Sequence, residues 1–346
     1  MNKRIPFILT AFMLLLLVLS VPPAKAAVHG VLVLDVGNGW DSWGVWSPTV
    51  VHEGSSFMMW YSGATADQVE IGLATSSDGT TWSRYQGNPV LSFGKWDRAV
   101  VEDPMVLHEN GIYKMWFDGS NSTSASAVNS IGYATSPDGI HWTEYSQDPI
   151  LSPSQTKWAI LIRPIVFSNG SQYVMYYTGF GAQASQEGVG IATSVDGIHW
   201  NPQPYNGRPI PFSGWDEDVQ PGNVIKVANT YVMAYRGKGP SPSKIGLVSS
   251  TDGFHWTPYP NNPVITYGGG SLDSNGVTEA DLLVVGNDFY VYCVGIGSGQ
   301  IGTDRIELAI LPTSQYPIPE YTSAGTVMSL TLMMLLTSLV IKQYRK

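Results

Sequence analysis

Five polar residues of five different kinds recur at one place in an internal repeat: Ser47 in "WSPTV", Asp103 in "EDPMV", Arg163 in "IRPIV", Gln220 in "VQPGN" and Glu279 in "TEADL". Two of them, Asp103 and Glu279, are carboxylates, with Glu102 and Asp281 beside them. Carboxylates brought together from separate elements suit glycosidic-bond hydrolysis, one acting as base toward water and the other as acid toward the leaving oxygen. A separation of roughly 6.5 to 9.5 Å is the inverting arrangement. Arg163 brings a planar guanidinium that suits a hydroxyl, a carboxylate or a phosphate. Downstream of the ring come Trp60, Trp116, Phe117, Asp118, Tyr177 and Arg236, aromatic faces with polar neighbours. Such faces suit sugar rings, which present apolar C–H surfaces and hydroxyl edges. With Ser47, Glu102, Arg163 and Gln220 they form the candidate substrate-binding set around the catalytic candidates Asp103 and Glu279. Strand alternation sends half of any such aromatic run into a core, so platform and core compete for these side chains.

The residues must be held by the repeat itself. "IGYATSPDGIHW" at 131–142 returns as "IGLATSSDGTTW" at 71–82, "VGIATSVDGIHW" at 189–200 and "IGLVSSTDGFHW" at 245–256, its tryptophans spaced by 60, 58 and 56. Periods of this length with strand-like segments indicate a propeller or a related array. Each unit runs in the same order: a Trp-Asp pair (Trp158-Ala159 in the third), an x-Pro strand, an aromatic strand, the strand ending in Asp-Gly, and an outer strand running to "NPVL" or its equivalent. Alternating β-branched and aromatic residues between Gly, Asn, Asp and Pro predict four antiparallel strands per unit. A fifth unit, 277–314, has three strands and no Asp-Gly-x-x-Trp; "GVLVLD" at 30–35 stands where its missing strand belongs. The expected fold is all-β: a five-bladed β-propeller of four-stranded antiparallel blades, the last closed by the N-terminal strand, which removes the exposed sheet edge.

The fourfold repeat is read as frame. Asp-Gly predicts a tight two-residue hairpin, with the Ser two residues earlier bonding the turn and the Trp covering the seam between blades. His141, His199 and His255 share one turn position in separate blades, with no Cys or Glu at ligand spacing, so no metal and no cofactor is expected.

The chain's ends differ from its body. Lys3 and Arg4 precede an uncharged run from Ile5 to Val21 and then "PPAKAA", the pattern of a secretory signal over residues 1–26. Ala324 to Ile341 gives 18 uncharged residues before "KQYRK", long enough to cross a thin bilayer with the basic tail inside. Residues 319–346 therefore read as linker, transmembrane helix and tail, or as a sorting signal exchanged for a lipid. Residues 27–318 read as the outward-facing propeller. Between the apolar ends lie all 27 acidic residues and 12 basic ones, a balance that repels nucleic acid. One cysteine, Cys293, excludes an internal disulfide framework. "NST" at Asn121 and "NGS" at Asn169 fit glycosylation sequons of a surface protein.

"EDP" opening an inner strand, "YKMWFDG" after it and "ATSPDGIHW" closing the hairpin resemble, over residues 31–312, the five-bladed glycosidase superfamily of glycoside hydrolase families 43, 32, 68 and 130. The resemblance implies carbohydrate as partner. It matches Asp103 to the inner-strand Asp-Pro carboxylate, a base or a stabiliser of the oxocarbenium-like state, and Glu279 to the general acid. The family commonly has an Asp on its first inner strand, where this chain has Ser47. Two classes of function stand side by side: an extracellular glycoside hydrolase, with phosphorolysis as a variant, and a non-catalytic surface propeller that binds glycans or protein through the same mouth.

Overall fold

A computed structural model describes residues 27–316, except 125–126, 182–186, 205–208, 212–213, 269–272 and 298–303. Both terminal apolar segments lie outside the described residues. Among the described residues no helix is long and apolar enough to cross a membrane.

Five four-stranded antiparallel blades follow one another along the described chain. Blade 1 comprises Gly44–Glu53, Ser56–Ala64, Val69–Ser76 and Ser83–Arg84; blade 2, Val100–Glu109, Ile112–Ser120, Ser130–Ser136 and Thr143–Glu144. Blade 3 comprises Ile160–Ser168, Tyr173–Phe180, Glu187–Ser194 and Asn201–Pro202; blade 4, Asp218–Val227, Thr230–Lys238, Lys244–Ser250 and Thr257–Pro258. Blade 5 takes Gly276–Val285, Asp288–Ile296 and Arg305–Pro312 from the end of the chain and Val31–Leu34 from its beginning. The N-terminal strand pairs antiparallel to the last one, Val31 opposite Leu308, as the missing fourth strand of the fifth repeat predicts.

The apolar residues form no single centre. They gather in five clusters, each shared by two adjacent blades, for example Trp60, Leu73 and Met115 between blades 1 and 2, and Leu247, Leu282 and Phe289 between blades 4 and 5. This follows from the sheet pattern: both faces of a propeller blade are covered by neighbouring blades, so both sets of alternating residues are apolar. The ring is thus held by seams.

Two local expectations are corrected. The outer strands of blades 1 to 4 are two residues long, and the "NPVL" segments of blades 1, 2 and 4 instead cross back to bridge the start of the third strand, Leu91 to Ile71, Leu151 to Ile131 and Ile265 to Ile245. The Asp-Gly turn is wider than a two-residue hairpin, with positive φ only at the glycine, +74° at Gly79. Hydrogen bonds shape it: Ser136 Oγ accepts from Asp138 N and Gly139 N, and Asp138 Oδ1 accepts from Ile140 N and His141 N, both at 2.9 Å. The Ser contact agrees with the frame reading.

The turn also secures the next seam. Its glycine carbonyl accepts from an aromatic of the adjoining blade: Trp60 Nε1 to Gly139 O, Trp116 Nε1 to Gly197 O, Tyr176 OH to Gly253 O and Tyr292 OH to Gly79 O, at 2.6 to 2.8 Å. Blade 4 faces blade 5, which has no such turn, and there the corresponding residue is Ala234, fully buried.

Candidate active site

The inner strands carry a bulge where the ring residues stand. In blade 2 the register breaks between Glu102, opposite Asp118, and Met105, opposite Trp116. The residues at the break take positive φ: Ser47 +47°, Asp103 +54°, Arg163 +53° and Glu279 +53°. This backbone is costly for residues with a Cβ. Only Asn110 and Ala228 share it among the described non-glycine residues, so strain is concentrated around the axis. The bulge frees backbone N–H groups, and neighbours satisfy them: Asp103 N donates to Ser62 Oγ (2.8 Å), Arg163 N to Asp118 Oδ1 (3.0 Å) and Ser47 N to Glu279 Oε2 (2.9 Å).

Gln220 does not take the fifth ring position. It lies opposite Arg236, as Glu102 lies opposite Asp118, and the blade 4 bulge falls one step later, between Pro221 and Val224. The structural counterpart of Asp103 is therefore Pro221. Gln220 nevertheless joins the network through its side chain: Arg163 Nη1 donates to its Oε1 at 2.6 Å, and its Nε2 donates to Glu187 Oε1 at 2.5 Å.

Arg163 is the hub. Its Nη2 donates to Glu279 Oε1, and its Nε lies 3.5 Å from Asp103 Oδ2. Ser47 Oγ stands within hydrogen-bond reach of both Asp103 Oδ1 and Glu279 Oε2. A hydroxyl has one proton to give, so both contacts are hydrogen bonds only when one of the acids carries a proton. The same bridge sets the spacing. Two hydrogen bonds through one oxygen keep the nearest carboxylate oxygens within about 6 Å, short of the 6.5 to 9.5 Å expected from the sequence and near the retaining arrangement. Ser47 draws together two carboxylates that blade count alone placed across the mouth.

Glu102 and Asp118 flank this unit. Glu102 is partly exposed and accepts from Trp46 Nε1 at 3.2 Å; Asp118 is fully buried and accepts from Asn129 Nδ2 at 2.9 Å. Burial, reinforced by the Asp103 charge, pushes the Glu102 carboxyl up to about 8. Burial with the charges of Asp103 and Glu102 raises Asp118 well above the ordinary range. Burial also raises Glu279, against the pull of Arg163. The cluster thus retains protons at neutral pH. Beside it a cavity of about 40 Å³, lined by Ser47, Asp103, Arg163, Asn223, Glu279 and Asp281 among others, has room for water and none for a sugar ring.

The aromatic platform is corrected. Trp60, Trp116 and Phe117 have no exposed surface, and Tyr177 is 3% exposed. Trp60 and Trp116 are consumed by the seam bonds, while Phe117 packs on Trp96 within its own blade. Arg236 does reach the ring, bonded to Asp218 Oδ2 at 2.5 Å and to Glu187 Oε1 at 3.5 Å. Sequence reasoning missed Trp46, Asn129, Asp218 and Glu187. Trp46 occupies in blade 1 the register position of Glu102, so aligning the residue before each ring position brings it out. Among the described residues no group of three or more His, Cys, Asp or Glu is placed to hold a metal ion.

The comparisons with known proteins agree with this architecture. The glycosyl hydrolases family 32 N-terminal domain matches residues 31–161, which include Ser47, Glu102, Asp103 and Asp118. A 1,2-beta-oligomannan phosphorylase from Thermoanaerobacter sp. (strain X514) is 25% identical over 161 residues, 44% of this chain and 52% of that protein; the match thus spans about half the relative's length. A solved glycoside hydrolase superposes with a TM-score of 0.67 at 20% identity, covering 83% of this chain and 91% of the other. The beta-1,2-mannobiose phosphorylase from Listeria innocua superposes with a TM-score of 0.61 at 14% identity, covering 82% and 95%. The chain has the five-bladed fold of the glycoside hydrolases, and its first two blades match the N-terminal domain of glycosyl hydrolases family 32.

Proposed function

We propose that this is an extracellular, surface-anchored glycoside hydrolase whose glycan enters at the propeller mouth, with Glu102 as proton donor and the Asp103–Ser47–Glu279 unit facing the anomeric carbon. One observation carries the reading: Glu102, Asp103, Asp118 and Glu279 converge on a single arginine, Arg163, beside the strained bulges of the inner strands. A carboxyl raised to about 8 is an acid at neutral pH, and an acid beside an ionised partner is what glycosidic cleavage needs. The outward address is supported by the two apolar segments of the sequence.

Phosphorolysis fits the charge less well, although relatives bear phosphorylase names. Arg163 is paired with Glu279 and Asp103, and Arg236 with Asp218 and Glu187, so a phosphate dianion meets a net negative site. A non-catalytic glycan-binding propeller is the second reading. It is favoured by Ser47, which stands where the resembling families have a carboxylate, and by the near-complete burial of Asp103 and Glu279, 5% and 8% exposed.

Turnover of β-mannobioses and nitrophenyl glycosides, with and without phosphate, tests the proposal alongside a glycan array. Hydrolysis without phosphate is expected, falling roughly 10²- to 10⁴-fold for the disaccharide in Glu102→Gln and much less for the nitrophenyl glycoside, whose leaving group needs no acid. Activity should decline above about pH 8 as Glu102 ionises. Array retention without release from any substrate would establish the binding reading; neither release nor retention would overturn both.

A further inference from the structure

Blade 3 departs from a pattern that blades 1 and 2 keep. In blades 1 and 2 the leading tryptophan lies over two glycines of its own blade, Trp40 over Gly63 and Gly72, and Trp96 over Gly119 and Gly132. In blade 3, Trp158 lies instead over Gly179 and Gly188, and Gly190, the register counterpart of Gly72 and Gly132, meets only Tyr177. Trp158 begins its blade two residues nearer the ring, five before Arg163 where Trp40 and Trp96 stand seven before Ser47 and Asp103, and the nearest cover of Gly190 is the Tyr177 ring.

That tyrosine lacks the partners its counterparts have. In blades 1 and 4 the matching hydroxyls are satisfied twice: Tyr61 OH donates to Asp41 Oδ2 (3.1 Å) and accepts from Asn88 Nδ2 (3.4 Å), while Tyr235 OH donates to Asp216 Oδ2 (2.8 Å) and accepts from Asn262 Nδ2 (3.4 Å). In blade 3 the residue after the tryptophan is Ala159, and Tyr177, 3% exposed, has no hydrogen-bond partner among the described residues. Its ring lines a cavity of about 320 Å³ with Thr156, Trp158, Pro202, Gln203 and Pro204, a volume in the range of small-molecule sites. Without a protein partner among the described residues, the hydroxyl is left for water or a ligand in the cavity to complete.

We propose that this cavity is a second ligand site, taking one neutral hexopyranose ring of a glycan. Proline and aromatic walls match the C–H face of a sugar, while Tyr177 OH, Thr156 and Gln203 match its hydroxyl edge. Among the described residues no carboxylate lines the cavity, and Lys157, which does, has its ammonium 4.7 Å from the Trp158 ring centroid. The site shares no residue with the ring around Arg163. The choice of sugar rests on the carbohydrate reading of the mouth, whereas the cavity is read from blade 3 alone.

Saturation-transfer NMR of the full-length chain with methyl β-mannopyranoside, β-glucopyranoside and β-galactopyranoside tests this, each at millimolar concentration. The variants are Tyr177→Phe, which removes only the hydroxyl, Gln203→Trp, which fills the cavity from its rim, and Glu102→Gln at the mouth. Transfer to at least one glycoside is expected, falling fivefold or more in both blade 3 variants at unchanged melting temperature and persisting in Glu102→Gln. Transfer that survives both blade 3 variants, or transfer to none of the three glycosides, overturns the second site. Loss in Glu102→Gln alone places the sugar at the mouth and overturns the second site while leaving the proposed function standing.

Discussion

Aspartates of the seam turns and carboxylates of the axial ring respond to folding in opposite directions. Asp138, Asp196 and Asp252 lie at the surface with backbone N–H groups aimed at them and a histidine ring nitrogen 2.7 Å from the second oxygen. Their carboxyls fall below the ordinary range: hydrogen bonds from His141 act first on Asp138, the His199 side chain on Asp196, and at Asp252 the His255 and backbone bonds outweigh burial. In the ring, burial outweighs the few donors available: Glu102 is pushed up to about 8 and Asp281, deep below Glu279, to about 7. Surface donors make a carboxylate part of the frame, whereas withheld water and shared protons make it reactive.

The contrast breaks most sharply at Arg163. Replacing it with Met leaves its carboxylates without their cation, a loss of about 3–5 kcal/mol for a broken buried pair. Urea denaturation should find this loss at pH 8 and less of it at pH 5, where Glu102, pushed up to about 8, is protonated; equal loss at both would remove charge as the cause. A smaller effect is expected at one turn. Asp138→Ala removes the acceptor for Ile140 N and His141 N and loosens the carbonyl that Trp60 engages, for about 1 kcal/mol or less at this exposed site. The loss should vanish on acidification and not on alkalinisation.

The smallest effect concerns the pH profile of stability. A carboxyl lowered by folding stabilises above its unfolded value, near 4, and ceases to do so as pH falls. A carboxyl raised by folding favours the fold below its unfolded value and loses that contribution progressively as pH rises from there to its folded value. Stability should therefore fall below about pH 4 through the turns, and fall again as pH rises from about 4 until it levels off near 7 for Asp281 and near 8 for Glu102. Asp281→Asn should flatten the upper limb and leave the lower one unchanged in melting scans; a lower limb that moves with it would show that turns and ring are not independent.

The frame was legible because it is written four times. Strand order, blade count and closure by residues 30–35 follow from repeat spacing and from the fourth strand that the fifth unit lacks. The ring was legible at Ser47, Asp103, Arg163 and Glu279, since one residue per blade interrupts an otherwise constant phrase. Gln220 was misplaced because x-Pro marks the bulge in three blades and precedes it by one residue in the fourth, a shift that pairing alone reveals. The aromatic residues misled for a different reason. Trp60 and Trp116 look like a sugar platform until one asks what replaces them beside a blade with no Asp-Gly turn, and Ala234 gives the answer. Spacing could not reveal the closeness of Asp103 and Glu279, which depends on a hydroxyl from a third blade.

Val31–Leu34 pairs with a strand from the opposite end of the chain, and this orders events during synthesis. This strand leaves the ribosome long before its partner, which belongs to the last blade, so ring closure is a contact of large sequence separation and a slow one. Until then each finished blade presents an unpaired flank, and Val31, still 69% exposed after closure, is among the apolar residues left waiting. A cell that makes this protein must keep that short segment from other sheets for the whole of translation.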